Sequence, residues 1–480
     1  GAYFDKKTSV RFNLISGKEK TYQAWNGVPE SMLTTDRTYN SAGTEKPGNP
    51  YADETDNYLQ THYQLFLNHQ VNPDLSFNIG TYLVRGKGYY ENYKAGQKFS
   101  KYGLSNLING ADTIKKTDLI LQRWLDNYFY GTVFSGQYAK GKTRFTFGGG
   151  YSQYDGKHFN RVTWAQAGFP PDFSSYNLPA HKNDLNLYAK WMQSLGNGFN
   201  TFIDLQQRMV KYQINGFKDN PDIFINKHYV FINPKVGISY LSGDNHAYAS
   251  LSVGSKEPNR DDFEAGENQI PKPERLYDWE LGYSRKGSVF SAGITLYLMN
   301  YKDQLVNTGE INDVGALTRT NASKSYRAGI ELEADYKPVK WLELGGNAAF
   351  SKNKIRDFTE FIYDDAGMVT ENHFSNTDIS FSPSVVPGGE VKISPIKNSE
   401  ISFMSKFVGN QFLDNTSDPN RMLNRYFVED ARVTYTVPQK RIKGIKIIFR
   451  VNNLFNKMYE ANGYTYNYIS DGKLYVENFY

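Results

Sequence analysis

The chain has 480 residues, no cysteine, a formal net charge of +5 and an aromatic content of 15%. The lack of cysteine excludes disulfides, thiolate metal sites and cysteine nucleophiles, and it suits a protein that crosses an oxidising periplasm. The small net charge, without a compact stripe of Lys and Arg, argues against nucleic-acid binding. No apolar run of about 18 residues occurs, which excludes membrane-spanning helices but not a membrane barrel, whose strands carry a weaker, alternating signal.

The predicted elements, taken in chain order, are strands joined by connections of two alternating lengths. Short turns of Gly, Asn, Asp, Lys and Pro are predicted at residues 72–74, 140–142, 196–198, 243–245, 286–287, 337–340, 396–398 and 441–443. Long polar loops are predicted over about 17–57, 257–274, 307–317 and 358–377, with others ending near 116 and 183 and one around 220. This order gives roughly seventeen strands, with all long loops at one end.

Within the strands, apolar and polar side chains alternate. Between residues 328 and 349, Ile330 and Leu332 fall on one side of an extended strand, while Glu331, Glu333 and Asp335 fall on the other. One face is therefore expected to be exposed to water, and the other must contact something apolar. We predict an all-β, antiparallel up-and-down transmembrane β-barrel rather than a sandwich or a propeller, because no repeating blade motif is present.

A barrel of this size has a lumen too wide for its own side chains to fill, so it holds a water channel or a plug. The side chains predicted to face this lumen are polar: Asp204, Gln206, Glu331, Glu333, Asp335, Lys446 and Arg450. The three carboxylates on one strand are interpreted as solvated lumen wall rather than as a glycosidase site. Gly148-Gly149-Gly150 is not a phosphate-binding loop, because no Lys-Ser/Thr pair or helical pattern follows it.

Four ordered motifs resemble those of TonB-dependent outer-membrane receptors. The segment 450–459, RVNNLFNKMY, resembles their penultimate strand, and KEPNRDDF at 256–263 is similar to their Phe-Arg-Ala-Pro region. PKPER at 271–275, leading into WELGY at 279–283, resembles their strand entry, and residues 17–29 resemble an early long loop. The resemblance extends over essentially the whole chain.

This resemblance implies a 22-stranded barrel plugged by an N-terminal globular domain. Residues 1–480 would then be a partial barrel domain that starts near the fifth strand and lacks most or all of the last one. The plug, the segment that contacts TonB and the signal peptide would lie before Gly1. A barrel with missing strands has open edges, so this chain alone is not expected to insert stably into lipid.

The resemblance also implies a function, an active transporter of the bacterial outer membrane that imports a metal chelate, with a ferric siderophore as the favoured cargo. Cobalamin and haem receptors of the same family are alternatives. Haem receptors carry an Asn-Pro-Asn-Leu stretch where this chain has Glu267-Asn268-Gln269-Ile270, which makes haem the weaker choice. Other classes left open are a passive porin and a soluble carbohydrate-binding β-protein. Transport needs no covalent chemistry, so neither enzyme activity nor a cofactor is predicted.

Aromatic and basic residues of the longest predicted loops are the candidate ligand contacts, because large π-faces with a few cations suit an aromatic, anionic metal chelate. They are Tyr22, Trp25, Tyr89, Tyr90, Tyr93, His158, Arg161, Trp164 and Tyr176. The alternative is that many of them form the aromatic girdle at the membrane interface.

No resident metal site is predicted from the seven histidines, which lack paired spacing. Asp261, Asp262, Glu264 and Glu267 could hold Ca²⁺, but a solvated acidic loop is the preferred interpretation.

Overall fold

A computed structural model of the chain describes residues 1–218, 220–264, 270–311, 317–438 and 444–480. These parts contain strands and three short 3-10 turns, at Glu30–Met32, Phe99–Tyr102 and Asp261–Phe263. Within the same ranges, no helix is long and apolar enough to cross a membrane.

The strands fall into a first and a second half of the chain. The first twelve are β1 (Ala2–Phe4), β2 (Thr8–Tyr22), β3 (Thr55–Asn72), β4 (Leu75–Lys98), β5 (Leu107–Asn109), β6 (Asp112–Ile114), β7 (Lys116–Lys140), β8 (Thr143–Ala165), β9 (Asn177–Gly196), β10 (Phe199–Asn215), β11 (Phe224–Ser242) and β12 (Asn245–Lys256). The rest are β13 (Glu274–Lys286), β14 (Phe290–Ile311), β15 (Leu317–Val339), β16 (Leu342–Asp364), β17 (Val369–Asp378), β18 (Val385–Ile393), β19 (Ser399–Val408), β20 (Gln411–Phe412), β21 (Met422–Leu423), β22 (Tyr426–Thr436), β23 (Lys446–Val451), β24 (Tyr464–Ser470) and β25 (Lys473–Phe479).

Twenty-one of these strands form a single sheet. Strands β2 to β4, β7 to β16, β18, β19, β22 and β23 follow one another, each antiparallel to the next, which confirms the predicted up-and-down order and the seventeen wall strands in the described residues. β17 extends this wall by pairing with the C-terminal half of β16. The β24–β25 hairpin joins by a short parallel pairing of Tyr363 and Asp364 with Tyr468 and Ile469.

In the described part of the chain, long and short connections alternate as predicted, and the long ones lie at the same end of the sheet. The turn at 196–198 shows why its residues are needed, since Gly196, Asn197 and Gly198 have φ angles of 93°, 50° and 86°. Glycine adopts such positive angles without steric cost, and asparagine tolerates them better than most other residues. The predicted turn at 441–443 lies outside the described residues.

The strands are longer than predicted, and several predicted loops are partly strand. β4 continues to Lys98, β8 to Ala165 and β16 to Asp364, and β17 begins inside the predicted loop at 358–377 and ends one residue beyond it. The reason is that backbone pairing between strands continues toward the long-loop end, beyond the part of each strand in which apolar residues alternate. Sequence periodicity therefore marks only the part of each strand with one apolar face.

We call the face of the sheet with exposed apolar side chains the outer face, and the opposite one the inner face. Leu65, Ile203 and Leu281 are 46%, 52% and 55% exposed on the outer face. Register confirms that predicted polar side chains lie on the inner face: Glu331 pairs with Thr295 and Ala349, one residue out of phase with the outer-face side chain of Leu332. Asp204 and Gln206 share the inner face of β10, and Lys446 and Arg450 that of β23.

The largest buried apolar cluster lies on the inner face near the long loops. It comprises Ala180, Val210, Tyr212, Ile214, Phe217, Ile223, Ile225, Phe231 and Phe263. Phe217 and Phe263 come from long loops and are 0% and 1% exposed. Burying a phenylalanine side chain contributes about 1.5–3 kcal/mol, so these two residues fix their loops against the inner wall.

Candidate functional site

An aromatic and cationic patch lies on the inner face at the long-loop end of β4, β7 and β8. The rings of Trp25 and Tyr90 meet edge to face with centroids 5.1 Å apart, and the guanidinium of Arg123 lies 5.3 Å from the Tyr90 centroid. Register places Asn160 opposite Arg123 and His158 opposite Leu125, so His158 belongs to the same face. We call Trp25, Tyr90, Arg123 and His158 the inner patch.

Buried amides hold the loop that carries Trp25 against β4. The side chains of Gln23 and Asn92 are buried, and Asn92 Nδ2 donates to Gln23 Oε1 at 2.8 Å. Gln23 Nε2 in turn donates to the Glu91 carbonyl at 3.1 Å, and Asn40 Nδ2 donates to the Gln23 carbonyl at 2.7 Å. Because buried amides are costly to leave unpaired, this network fixes Trp25 over Tyr90.

The inner patch has the chemistry for stacking and charge attraction at one place. Trp25, Tyr90, Arg123 and His158 are all partly exposed, so their surfaces are accessible. An aromatic, anionic ligand can place a ring against the indole or phenol and its charge near the guanidinium.

The structure places most of the predicted contact residues in strands rather than loops. Only Trp25 and Tyr176 lie outside strands; Tyr22 belongs to β2, three tyrosines to β4 and three residues to β8. Tyr176 is half-buried in the β8–β9 connection, and Ser174 Oγ donates to its carbonyl at 3.2 Å. The placement in loops was wrong for the other seven because the strands extend above the apolar band.

Five of the predicted contacts lie on the outer face, away from the inner patch. These are Tyr22, Tyr89, Tyr93, Arg161 and Trp164. Tyr89 packs on Trp124 with centroids 4.6 Å apart, and Tyr93 stacks on Trp164 at 6.3 Å. Aromatic side chains at this position fit the girdle alternative.

A partly buried ionic cluster, which sequence reasoning missed, anchors the loop after β12. Arg208 donates to Asp184 and Glu257, and its Nη1 lies 2.7 Å from Glu257 Oε2; Lys182 Nζ lies 2.8 Å from Glu257 Oε1. The Glu257 side chain is 5% exposed. Burial alone raises the pKa of this carboxyl, but hydrogen bonds from Lys182 and Arg208 outweigh it and keep the pKa below its ordinary value. We call Lys182, Asp184, Arg208 and Glu257 the motif tether.

The rest of the 256–263 motif is also anchored to the wall. Arg260 lies 4.6 Å from the Phe217 ring centroid, and Asp262 accepts from Arg319 Nε and Nη2 at 2.9 and 2.6 Å. The Asp262 side chain is 3% exposed. The interpretation of this segment as a solvated acidic loop was therefore wrong for Asp262, because sequence spacing could not show that Arg319 faces it. Glu267 and the segment 267–269, compared above with haem receptors, lie outside the described residues.

A second buried cluster joins the β16 end to the β19–β22 connection. Arg421 Nη1 contacts the Glu360 carboxylate and lies 2.8 Å from Asp414 Oδ2. The three side chains are at most 9% exposed. We call Glu360, Asp414 and Arg421 the loop triad. In the described residues, no group of three or more His, Asp or Glu side chains has a metal-binding arrangement.

The β24–β25 hairpin reaches across the long-loop end to the loop after β2. The amide of Val28 donates to the Tyr480 carbonyl at 2.7 Å, and the amide of Tyr480 donates to the Val28 carbonyl at 2.9 Å. Arg37 Nη2 lies 2.7 Å from Glu460 Oε1. These contacts bring the first and last long connections together beside the inner patch.

An antiparallel wall with an apolar outer face, a polar inner face and long loops at one end is that of an outer-membrane β-barrel. The sequence model described as "TonB dependent receptor-like, beta-barrel" matches residues 3–454. The chain belongs to this family of outer-membrane transport receptors.

Solved structures show the same fold at low sequence identity. The unliganded ferric citrate transporter FecA is 16% identical, with a TM-score of 0.68 over 99% of this chain and 68% of that one. The siderophore receptor PiuA of Acinetobacter baumannii is 11% identical, with a TM-score of 0.65 over 99% and 72%. The ferric-catecholate import receptor Fiu of E. coli K12 is 13% identical, with a TM-score of 0.59 over 98% and 72%. Among curated proteins no match was found.

Proposed function

We propose that the protein is an active importer of a metal chelate, with a ferric siderophore as its cargo. The observation that carries this proposal is the inner patch, an aromatic surface with a cation at the long-loop end of a barrel of this family. The names of FecA, PiuA and Fiu refer to iron chelates or siderophores, which supports iron as the metal. Cargo binding requires no covalent chemistry, so the proposed protein is not an enzyme.

The proposal includes parts of a receptor beyond residues 1–480. These residues would form one barrel domain, and a plug with a TonB-contacting segment would complete the transporter. Cargo would bind between the plug and the inner patch, and energy relayed by TonB would shift the plug. Among the nine predicted contacts, Trp25, Tyr90 and His158 are proposed to face the cargo; their membership of the inner patch supports this choice.

Tryptophan fluorescence tests this assignment with a matched pair of variants. The receptor, made from its complete natural reading frame and purified in detergent, would be titrated with ferric siderophores, haem and cobalamin. We expect saturable quenching by a ferric siderophore and loss of most of it in Trp25→Phe. Trp164→Phe is the control, because Trp164 is on the outer face and 46% exposed.

Saturable quenching by haem or cobalamin instead would change the assigned cargo but would leave the assignment as a receptor unchanged. Equal quenching in wild type and Trp25→Phe would contradict a role for the inner patch.

A passive porin is separated from a receptor by an uptake experiment. Cells that produce the protein should accumulate the radiolabelled ferric chelate only when TonB is present. Uptake that continues unchanged without TonB would show passive diffusion and refute active import.

A further inference from the structure

Asn92 connects the two halves of the inner patch. It lies two residues after Tyr90 on the inner face of β4 and is 5% exposed. Its Nδ2 donates to Gln23 Oε1 at 2.8 Å, and Gln23 precedes Trp25 by two residues in the loop after β2. Its Oδ1 accepts from Arg123 Nη1 at 3.1 Å. One amide therefore contacts both the guanidinium and the loop that carries the indole.

Hydrogen bonding fixes the direction in which this amide points. Asn92 Nδ2 also donates to Glu54 Oε1 at 2.9 Å, so both amide hydrogens have acceptors. A half-turn of the amide would place Asn92 Oδ1 against the oxygens of Gln23 and Glu54. The amide nitrogen would then face the Arg123 guanidinium. Because all these contacts would be repulsive, one orientation of Asn92 is favoured, and it defines one position for Arg123.

The contact between Asn92 and Arg123 is not needed to hold the structure together. Gln23 Nε2 also donates to the carbonyl oxygens of Glu91 and Thr55, at 3.1 and 3.4 Å, so the loop after β2 has anchors besides Asn92. β4 and β7 are joined by a long backbone ladder. The remaining role of the contact is to orient the guanidinium.

The group that accepts from Arg123 is a neutral amide. It orients the guanidinium without adding negative charge beside it, whereas an aspartate of the same size would form a charge-assisted pair with the cation. Such a pair would weaken the attraction for an anion that binds against Trp25 and Tyr90. A change from amide to carboxylate at residue 92 therefore alters the charge of the inner patch and hardly alters its shape.

We propose that Asn92 is a positioning residue that sets the charge specificity of the inner patch. It holds Arg123 beside Trp25 and Tyr90, so that the inner patch selects an anionic chelate. This inference rests on the proposed function for the cargo, but the arrangement of the side chains can be tested without cargo.

The test measures collisional quenching of Trp25 in the complete receptor in detergent, with iodide as an anionic probe and acrylamide as a neutral one. The Trp25 signal is the difference between each protein and its Trp25→Phe counterpart. In Asn92→Asp, quenching by iodide relative to acrylamide should fall about threefold, because a carboxylate then faces the guanidinium. Asn92→Leu removes all three hydrogen bonds at similar size, so acrylamide quenching should rise about twofold as the loop loosens.

Asn353→Asp is the matched control. Asn353 is also 5% exposed on the inner face, and its Oδ1 accepts from Arg327 Nη1 at 3.2 Å, but it belongs to β16. Quenching of Trp25 by iodide and by acrylamide should equal that of the wild type in this variant.

A second measurement titrates the same proteins with a ferric triscatecholate, an anionic chelate, at low and high salt. Asn92→Asp should bind it about tenfold more weakly than the wild type at low salt, and with a smaller dependence on salt. Asn353→Asp should bind it like the wild type.

Wild-type quenching in both Asn92 variants would overturn the proposal, and so would an equal change in Asn353→Asp. An equal loss of affinity at both salt concentrations would show that Asn92 supports the fold and does not select charge. Absence of chelate binding by the wild type would contradict this cargo, and the iodide result would then decide separately whether Asn92 orients Arg123.

Discussion

The motif tether makes a quantitative prediction about the loop after β12. Glu257→Gln keeps the size of the side chain but removes the negative charge that faces Lys182 and Arg208. Breaking one side of a buried ion pair costs about 3–5 kcal/mol, because the remaining charge is left uncompensated. Here the cations are 31% and 23% exposed and Arg208 keeps Asp184, so we expect about 2–3 kcal/mol.

This cost should appear as local opening rather than as unfolding of the barrel. The wall strands are held by continuous ladders of backbone hydrogen bonds, whereas residues 257–264 are held by the motif tether, Asp262 and Phe263. Hydrogen exchange measured by mass spectrometry on the peptide 254–264 should therefore accelerate about 30- to 150-fold, as a change of 2–3 kcal/mol in opening requires. Exchange in β10 should change much less.

Glu331→Gln is the matched control, because it removes the same charge from an exposed side chain of the inner face. Its exchange at 254–264 should equal that of the wild type. Unchanged exchange at 254–264 in Glu257→Gln would refute the reasoning and show that Asp262 and Phe263 hold the loop without the motif tether.

Two further predictions concern charge and pH. Arg421→Met should leave the two buried carboxylates of the loop triad facing each other, which should destabilise the β19–β22 connection by about 3–5 kcal/mol. Limited proteolysis at residues 409–425 should therefore show faster cleavage than in the wild type. Equal cleavage rates would contradict a stabilising role of the loop triad. Because the pKa of Glu257 is lowered by folding, its stabilisation is full above its ordinary value of 4.5 and is lost as pH falls through the lower, folded value. Exchange at 254–264 should thus, after correction for intrinsic rates, accelerate on acidification in the wild type and change less in Glu257→Gln.

The sequence by itself determined the architecture of this protein. Alternation of apolar and polar residues, as in Ile330 to Asp335, depends only on the two-residue period of a strand, and turn residues such as Asn197 mark the reversals locally. The ordered motifs along the chain were sufficient to predict the family, and the match of the family model over residues 3–454 confirms this prediction.

Only the tertiary structure decided which side chains meet. Tyr89 and Tyr90 are adjacent in sequence but belong to opposite faces of β4. Where a strand lacks alternating apolar residues, its register with neighbouring strands is needed to show which side chains lie on which face. Glu257 and Arg208, or Arg421 and Glu360, are distant in sequence and carry no local signal for their pairing. Strand periodicity is a property of neighbouring residues, whereas a buried ion pair depends on how distant strands are brought together.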